Sequence, residues 1–195
     1  MPIFKYPTVY REYIVENDVR NMKIVKIAQK LVEKGRRALI LVKNIKHGKT
    51  LLSMFPKKTV IYFVKGNVKS EERNRIRKEF TEGKIDIIIA SVVYDQGVDL
   101  PNLDALILAG SGKSAGRTLQ RIGRVIRAHP GKKDAIVIDF IDNAKYLLDH
   151  TTSRIETFKR EAAFSLKFPK RIYDAKSKKE KQKTTPKRLQ KYEEW

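Results

Sequence analysis

The chain has 195 residues and a formal net charge of +21, from 43 Lys and Arg against 22 Asp and Glu. A charge excess of this size predicts attraction to a polyanion, most simply nucleic acid. The chain has no cysteine, which excludes disulfides and thiolate metal sites. It also has no apolar run long enough to span a bilayer. We therefore expect no membrane partner and a cytoplasmic or nucleoid-associated location.

The first elements are an arm and a helix. Apolar residues alternate in places along the N-terminal arm (residues 1–16), which predicts an extended segment or a first strand. Asn17 or Asp18 can cap a helix that continues to about Glu33. Gly35 is a typical end signal for that helix.

Five apolar runs then alternate with helical segments. The runs are typical of strands buried on both faces and cover residues 38–42, 60–64, 85–90, 104–109 and 135–140. Further helices are predicted over residues 46–55, over 71–82 with Ser70 as the cap, over 116–127, and from about 144 to 163. This alternation predicts an α/β fold, a parallel sheet flanked by helices in three layers. Ligands of such sheets bind at the carboxyl ends of the strands, so we expect the site in the loops that follow them.

The predicted helix over residues 116–127, called the arginine helix below, has two distinct faces. One face is apolar and carries Leu119, Ile122, Val125 and Ile126. The opposite face groups Gln120, Arg124 and Arg127, with Arg121 just outside this group. Two guanidinium groups one helical turn apart can bind the same polyphosphate. If the helix is considered alone, the favoured interpretation is a basic face that is exposed to solvent.

Two segments imitate a phosphate-binding loop but are incomplete. The run Gly110 to Ser114 ends in Gly-Lys-Ser, yet the first glycine of the pattern would fall at Ile107. The run Gly48-Lys49-Thr50 fails for the same reason, because Lys43 stands where that glycine belongs. Neither segment is predicted to hold a nucleotide by itself.

No metal site is predicted either. Asp139 and Asp142 follow the last strand and imitate a magnesium-binding pair, but without a phosphate-binding loop a strand-end turn is expected. The three histidines are scattered and are interpreted as surface or loop residues. They are His47, His129 and His150.

The order of the polar loops resembles the second RecA-like domain of superfamily 2 helicases and translocases. Residues 38–44 resemble motif IV, 64–66 motif IVa, 91–101 motif V, and 120–127 motif VI, with the pattern Q-R-x-G-R-x-x-R. The nearest likeness is to DNA-directed branches of the UvsW, RadD and XPB kind. The resemblance predicts a RecA-like domain over residues 17–165, followed by a basic tail over 166–195.

The resemblance implies a role for each nucleotide-facing residue. Arg124 and Arg127 match the arginine fingers that reach the terminal phosphate of ATP, and Gln120 matches a residue at the same interface. Gly97 and Asp99 match positions that approach the nucleotide and its sugar. Arg121 matches a residue that belongs to the interaction network between the family's two RecA-like domains.

A second set of residues is implied to contact nucleic acid. Ser91 stands where the family usually has Thr and keeps the hydroxyl that grips a phosphate. Gly66 matches a backbone clamp, and three further side chains are matched to phosphate contacts. These are Lys43, Asn44 and Lys65. DNA is the expected partner, and RNA is the alternative.

The sequence does not contain the Walker A and Walker B motifs of the family's first RecA-like domain. The resemblance therefore implies that ATP is shared with a separate N-terminal RecA-like domain, which also holds Mg²⁺, and that this chain alone is inactive. Two alternatives remain open. One is a non-catalytic nucleic-acid-binding domain that keeps the helicase fold, and the other is an enzyme built on Gly112-Lys113-Ser114.

Overall fold

A parallel sheet of five strands forms the centre of the protein. The computed structural model describes residues 5–64, 69–91, 100, 103–110, 119–120, 122–123 and 134–168. The strands are β1 (Ala38–Val42), β2 (Ile61–Val64), β3 (Ile87–Ser91), β4 (Ala105–Leu108) and β5 (Ile136–Ile138). Their order across the sheet is β2-β3-β1-β4-β5, and every neighbouring pair is parallel. The α/β fold predicted from the apolar runs is confirmed.

Burial follows the position of each strand in the sheet. The three inner strands, β1, β3 and β4, are buried along their whole length, whereas the edge strands β2 and β5 are mostly half-buried. Continuous apolar sequence suits strands that are covered on both faces. In the register of β1 and β3, Val42 lies beside Ser91, so these two strands end at the same level.

Four longer helices accompany the sheet: α2 (Asp18–Glu33), α3 (Ile45–Met54), α4 (Ser70–Thr81) and α5 (Leu147–Lys159). The first of them begins as predicted, because the side chain of Asn17 accepts a hydrogen bond from the Arg20 amide at 2.9 Å. It ends before Gly35, whose φ of +70° is the left-handed conformation that glycine adopts without strain.

The predicted cap of α4 is wrong. Ser70 is the first helical residue, and Lys69 occupies the N-cap position without a side-chain hydrogen bond. Glu71 and Glu72 lie in the first turn instead. Their negative charges stabilise the positive end of the helix dipole, which replaces the missing cap.

The larger core lies on the face of the sheet that α2 and α3 cover. Alternate residues of a strand point to the same face, and Ala38, Ile40 and Val42 of β1 all pack into this core. Its fully buried side chains include Ile24, Ala28, Leu51, Ile87, Ile89 and Ile107.

The N-terminal arm is helical, which contradicts the predicted strand. Helix α1 (Tyr6–Tyr10) continues directly into a π-helical segment (Arg11–Val15). The amide of Glu16 donates to the carbonyl of Arg11 at 2.8 Å, across the five-residue interval of π geometry. The prediction of an extended arm over residues 1–16 is therefore wrong for residues 6–15.

Burial explains why this arm is a helix. Val9, Tyr10, Ile14 and Val15 are each at most 7% exposed. Residues five apart stack in π geometry, so these four form one apolar stripe against the protein. A strand would instead turn Val9, Tyr13 and Val15 to the same side, and Tyr13 is 48% exposed.

The described part of the arginine helix matches the two predicted faces. Leu119, Gln120, Ile122 and Gly123 are helical. Ile122, on the apolar face, is fully buried, and Gln120, on the opposite face, is exposed. The helix therefore packs by the face that the apolar pattern predicted.

The chain divides into two compact units, Met1–Thr157 and Phe158–Trp195. In the second unit, the rings of Phe158 and Phe164 pack edge to face at 5.9 Å between centroids. Among the helices of the described residues, none is both long and apolar enough to cross a membrane. The domain limits at residues 17–165 and the basic tail over 166–195 stay predictions.

Candidate functional site at the carboxyl edge of the sheet

The carboxyl ends of the parallel strands meet at one edge, called the carboxyl edge below. Lys43 and Asn44 follow β1 there, and Ser91 ends β3 beside it. Gly110 follows β4 closely, and its amide donates to the Leu41 carbonyl of β1 at 3.0 Å. The fold thus brings together residues from two separate segments that were predicted to contact nucleic acid. They are Lys43 and Asn44 after β1, and Ser91 at the end of β3.

Aromatic rings of the N-terminal helix position Lys43. Its Nζ lies 5.2 Å from the ring centroid of Tyr6 and 5.1 Å from that of Tyr10. Both distances are within the range of a cation–π interaction. The side chain remains exposed, so the rings hold a positive charge at the surface of the carboxyl edge.

Asn44 and Ser91 are engaged differently. Asn44 is exposed, and its Oδ1 accepts a hydrogen bond from the Lys46 amide at 2.7 Å, which caps α3. A contact from Asn44 to nucleic acid would therefore come from its side-chain NH₂ group. Ser91 is only 2% exposed. Among the described residues, the accessible polar side chains at the exits of β1 and β3 are consequently those that follow β1.

Arg20 is a residue of this edge that sequence reasoning missed. Its Nε and Nη2 donate to the two carboxylate oxygens of Asp142 at 2.7 and 3.1 Å, and its Nη1 donates to the Ala109 carbonyl at 2.8 Å. The guanidinium carbon lies 4.7 Å from the ring centroid of Phe140. Arg20 therefore ties the end of β4 to the segment after β5. In the sequence, the arginine helix lies between these two strands.

A second buried group adjoins Arg20. Asn21 donates from Nδ2 to the Val15 carbonyl at 3.0 Å, and its Oδ1 lies 2.9 Å from Nε2 of His47. Because Oδ1 can only accept, Nε2 is the ring nitrogen that carries the proton. Burial and the nearby positive charge of Arg20 lower the pKa of His47 to about 4.

The interpretation of His47 as a surface residue is wrong, since it is fully buried. The signal that could have found it is its place one helical turn before Leu51, on the apolar face of α3. A polar residue on such a face requires a buried partner, which Asn21 supplies. His150 lies in α5 and is half-buried.

The two acidic residues after β5 both pair with arginine. Arg154 donates from Nε and Nη2 to the carboxylate of Asp139 at 2.7 and 3.1 Å, while Asp142 is held by Arg20. Carboxylates engaged in this way stabilise the strand-end turn. Within the described residues, no group of three His, Asp or Glu side chains is placed to hold a metal ion.

Several predicted site residues lie outside the described residues, and their roles stay predictions. Of the predicted site residues in motif VI, Gln120 is the one that the structure describes. The predicted site residues outside the described part of the chain are Lys65, Gly66, Gly97, Asp99, Arg121, Arg124 and Arg127. His129 and residues 111–118 also lie outside it.

Comparison with known proteins gives a consistent result. A family model described as "Helicase conserved C-terminal domain" matches residues 22–129. The ATP-dependent DNA helicase uvsW of Enterobacteria phage T4 is 35% identical over 160 residues, which cover 73% of this chain and 32% of that protein. The DNA 3'-5' translocase XPB2 of Sulfurisphaera tokodaii is 30% identical over 133 residues, covering 68% of this chain and 28% of that protein. The chain thus spans about a third or less of the length of these relatives.

Solved structures agree with the sequence relatives. The crystal structure of T4 UvsW superposes with a TM-score of 0.68 at 32% identity, covering 80% of this chain and 35% of that chain. The C-terminal domain of the DEAD-box protein Dbp5 gives a TM-score of 0.57 at 18% identity, covering 71% of this chain and 78% of that domain. The second likeness shows the fold alone.

Proposed function

Because the chain belongs to the superfamily 2 family of helicase conserved C-terminal domains, we propose that it is the second RecA-like domain of an ATP-dependent helicase or translocase. In this proposal ATP lies in a cleft between this domain and an N-terminal RecA-like domain, which supplies the phosphate-binding loop and holds Mg²⁺. Arg124 and Arg127 reach across the cleft as arginine fingers, and Gln120 lies at the same interface. Hydrolysis alternately closes and opens the cleft.

The observation that carries the proposal is the arrangement of the carboxyl edge. The exits of β1 and β3 lie side by side, and the exposed Lys43 and Asn44 stand at that edge. Gln120 is exposed on a helix whose Ile122 is fully buried, so the helix offers its polar face outward. An exposed lysine and asparagine at the strand exits, together with a helix that exposes its polar face, suit a domain that binds a strand and a shared nucleotide.

The remaining roles in the proposal follow from the resemblance to the family. Gly97 and Asp99 approach the nucleotide, and Arg121 belongs to the network between the domains. The nucleic-acid surface consists of Lys43, Asn44, Lys65, Gly66 and Ser91. DNA is the proposed partner, and RNA is the alternative. A cytoplasmic or nucleoid-associated location is proposed with it.

The test is the ATPase rate of the two-domain protein, measured with and without DNA. We expect DNA to stimulate hydrolysis, and Arg124→Ala or Arg127→Ala to lower the rate by about 10³-fold or more, because an arginine finger stabilises charge that develops on the transferred phosphoryl group. The control is Arg75→Ala on α4, where Arg75 is exposed, pairs with Glu72 and Glu79, and donates to the Tyr62 hydroxyl at 3.1 Å.

Two results would contradict the proposal. An unchanged rate in both finger variants would remove these arginines from the active site and favour the non-catalytic domain. Steady hydrolysis by the 195-residue chain alone would show that it holds a complete nucleotide site, which would favour the enzyme built on Gly112-Lys113-Ser114.

A further inference from the structure

The outer face of α2 carries a row of lysines, called the α2 lysine stripe. Its members are Lys23, Lys26, Lys30 and Lys34, and all four side chains are exposed. At about 100° per residue they fall within an arc of about 80°, and at a rise of about 1.5 Å per residue they extend over about 16 Å. The stripe is a linear positive surface rather than a scatter of charges.

The stripe lacks the acidic partners that other basic helices of this protein have. On α4, Arg75 pairs with Glu72 and Glu79 at 4.0 and 3.8 Å, and Lys78 pairs with Glu82 at 3.9 Å. Within the part of the chain that the structure describes, none of the four stripe lysines has an ion pair. The stripe lysines are therefore not held in ion pairs with any described residue, whereas Arg75 and Lys78 of α4 are. The exposed Glu33 lies one helical turn after Lys30 without forming an ion pair with it.

The opposite face of α2 restricts what the stripe can bind. Ile24, Ala28 and Leu31 are buried in the core against the sheet. A helix that binds a membrane inserts a continuous free apolar face beside its lysines. Here that face is packed in the core, and the exposed large apolar residues of α2 are Val19 and Met22 near its start, too few to form such a face. Polyanions that need only a row of cations, such as a nucleic-acid backbone, remain as the matching ligand.

The stripe is continuous with the carboxyl edge. Arg20, in the first turn of α2, bonds the Ala109 carbonyl and Asp142 at that edge. From there α2 runs back along the sheet to Lys34, just before β1. The lysines therefore form a path from the carboxyl edge across the face of the domain.

We propose that the α2 lysine stripe is a second nucleic-acid surface, which binds the phosphate backbone of duplex DNA that extends beyond the carboxyl edge. Over about 16 Å of its axis a duplex presents about five phosphates per strand, enough for each lysine to have one. The inference rests on the proposed function, which identifies the polyanion as DNA. It adds to that function a second binding surface that lies away from the carboxyl ends of the strands.

The experiment measures the affinity of the 195-residue chain for a fluorescent DNA duplex of two helical turns, between about 50 and 200 mM salt. The stripe variant is K23Q/K26Q/K30Q/K34Q, and glutamine keeps nearly the helix propensity of lysine. The control variant removes the same number of charges from exposed lysines elsewhere and is K57Q/K58Q/K78Q/K84Q. Circular dichroism and the urea midpoint verify that both variants fold.

If the stripe binds phosphates, the magnitude of the slope of log affinity against log salt falls by about 3.6 in the stripe variant, since each of the four lost contacts removes about 0.9. The affinity at the lowest salt then falls by more than about 10-fold. The control variant keeps a slope within about one of the parent chain.

Equal losses in the two variants would overturn the inference, because net charge alone would then account for binding. It would also be overturned if the stripe variant bound the duplex normally but lost binding to phosphatidylserine vesicles. Failure of the parent chain to bind the duplex at all would contradict the proposed function as well. If the parent chain binds the duplex and the stripe variant binds it with the same affinity and salt dependence, only the inference about the α2 lysine stripe is contradicted.

Discussion

Replacing Arg20 by methionine tests whether the buried ion pair stabilises the carboxyl edge. The change removes the bidentate bond to Asp142 and the bond to the Ala109 carbonyl. The side chains of Arg20 and Asp142 are 8% and 16% exposed, so the remaining carboxylate stays largely shielded from water. Breaking a buried pair by removing one partner costs about 3–5 kcal/mol. We expect a loss of that size in the free energy of unfolding.

A surface pair of the same chemistry provides the matched control. Arg36 bonds Asp134 at the same 2.7 Å, but their side chains are 29% and 60% exposed. Arg36→Met should cost no more than about 1 kcal/mol, because surface ion pairs contribute little. The contrast between the two variants measures the combined effect of burial and of the two additional hydrogen bonds that Arg20 makes.

The measurement is urea unfolding followed by far-ultraviolet circular dichroism, since the single tryptophan of the chain is Trp195 at its end. With a urea slope of about 2 kcal/mol per M, Arg20→Met lowers the midpoint by about 2 M. The double variant Arg20→Met/Asp142→Asn should recover part of the loss, because the unpaired carboxylate is gone. A loss below about 1 kcal/mol for Arg20→Met, or strictly additive effects in the double variant, would refute this reasoning.

Two further predictions concern the same edge. The pKa of His47 is about 4 in the folded chain and near 6.5 when unfolded. As the pH drops from 6.5 to 4, the unfolded state therefore takes up the proton first, and the free energy of unfolding falls by up to about 3 kcal/mol. His47→Gln, which can still donate to Asn21, should flatten unfolding free energy against pH in that window, and an unchanged profile would exclude His47 as the cause. Gly110→Ala places a Cβ 2.5 Å from the Lys43 amide nitrogen and 2.8 Å from the Tyr10 hydroxyl. We expect thermal unfolding to show a loss of about 1–3 kcal/mol from overpacking, and an unchanged melting temperature would contradict the close approach.

The strands and helices were largely readable from the sequence, and the physical reason is local. Short continuous apolar runs such as Ala38–Val42 are typical of strands covered on both faces, and the structure gives this one the predicted bounds. The cap at Asn17 and the end at Gly35 were correct because each depends on one residue and its own backbone. The resemblance of the polar loops to a helicase C-terminal domain is confirmed for the family.

The errors lie where packing overrides local pattern. The N-terminal arm has apolar residues that suit a strand, but burial of Val9 with Ile14 and Tyr10 with Val15 favours a π-helical turn. Alternation in a short segment cannot distinguish these outcomes, because the deciding contacts come from elsewhere in the chain.

The sequence by itself determined the α/β class, the helicase family and the large positive charge, since each depends on composition and on spacing along the chain. Only the tertiary structure decided which charges are paired. It joined Arg20 to Asp142, which lie 122 positions apart, and buried His47 against Asn21. It also left the lysines of α2 exposed and without ion pairs among the described residues. Pairing and burial depend on distances between segments remote in sequence, and those distances are set only when the sheet and helices pack.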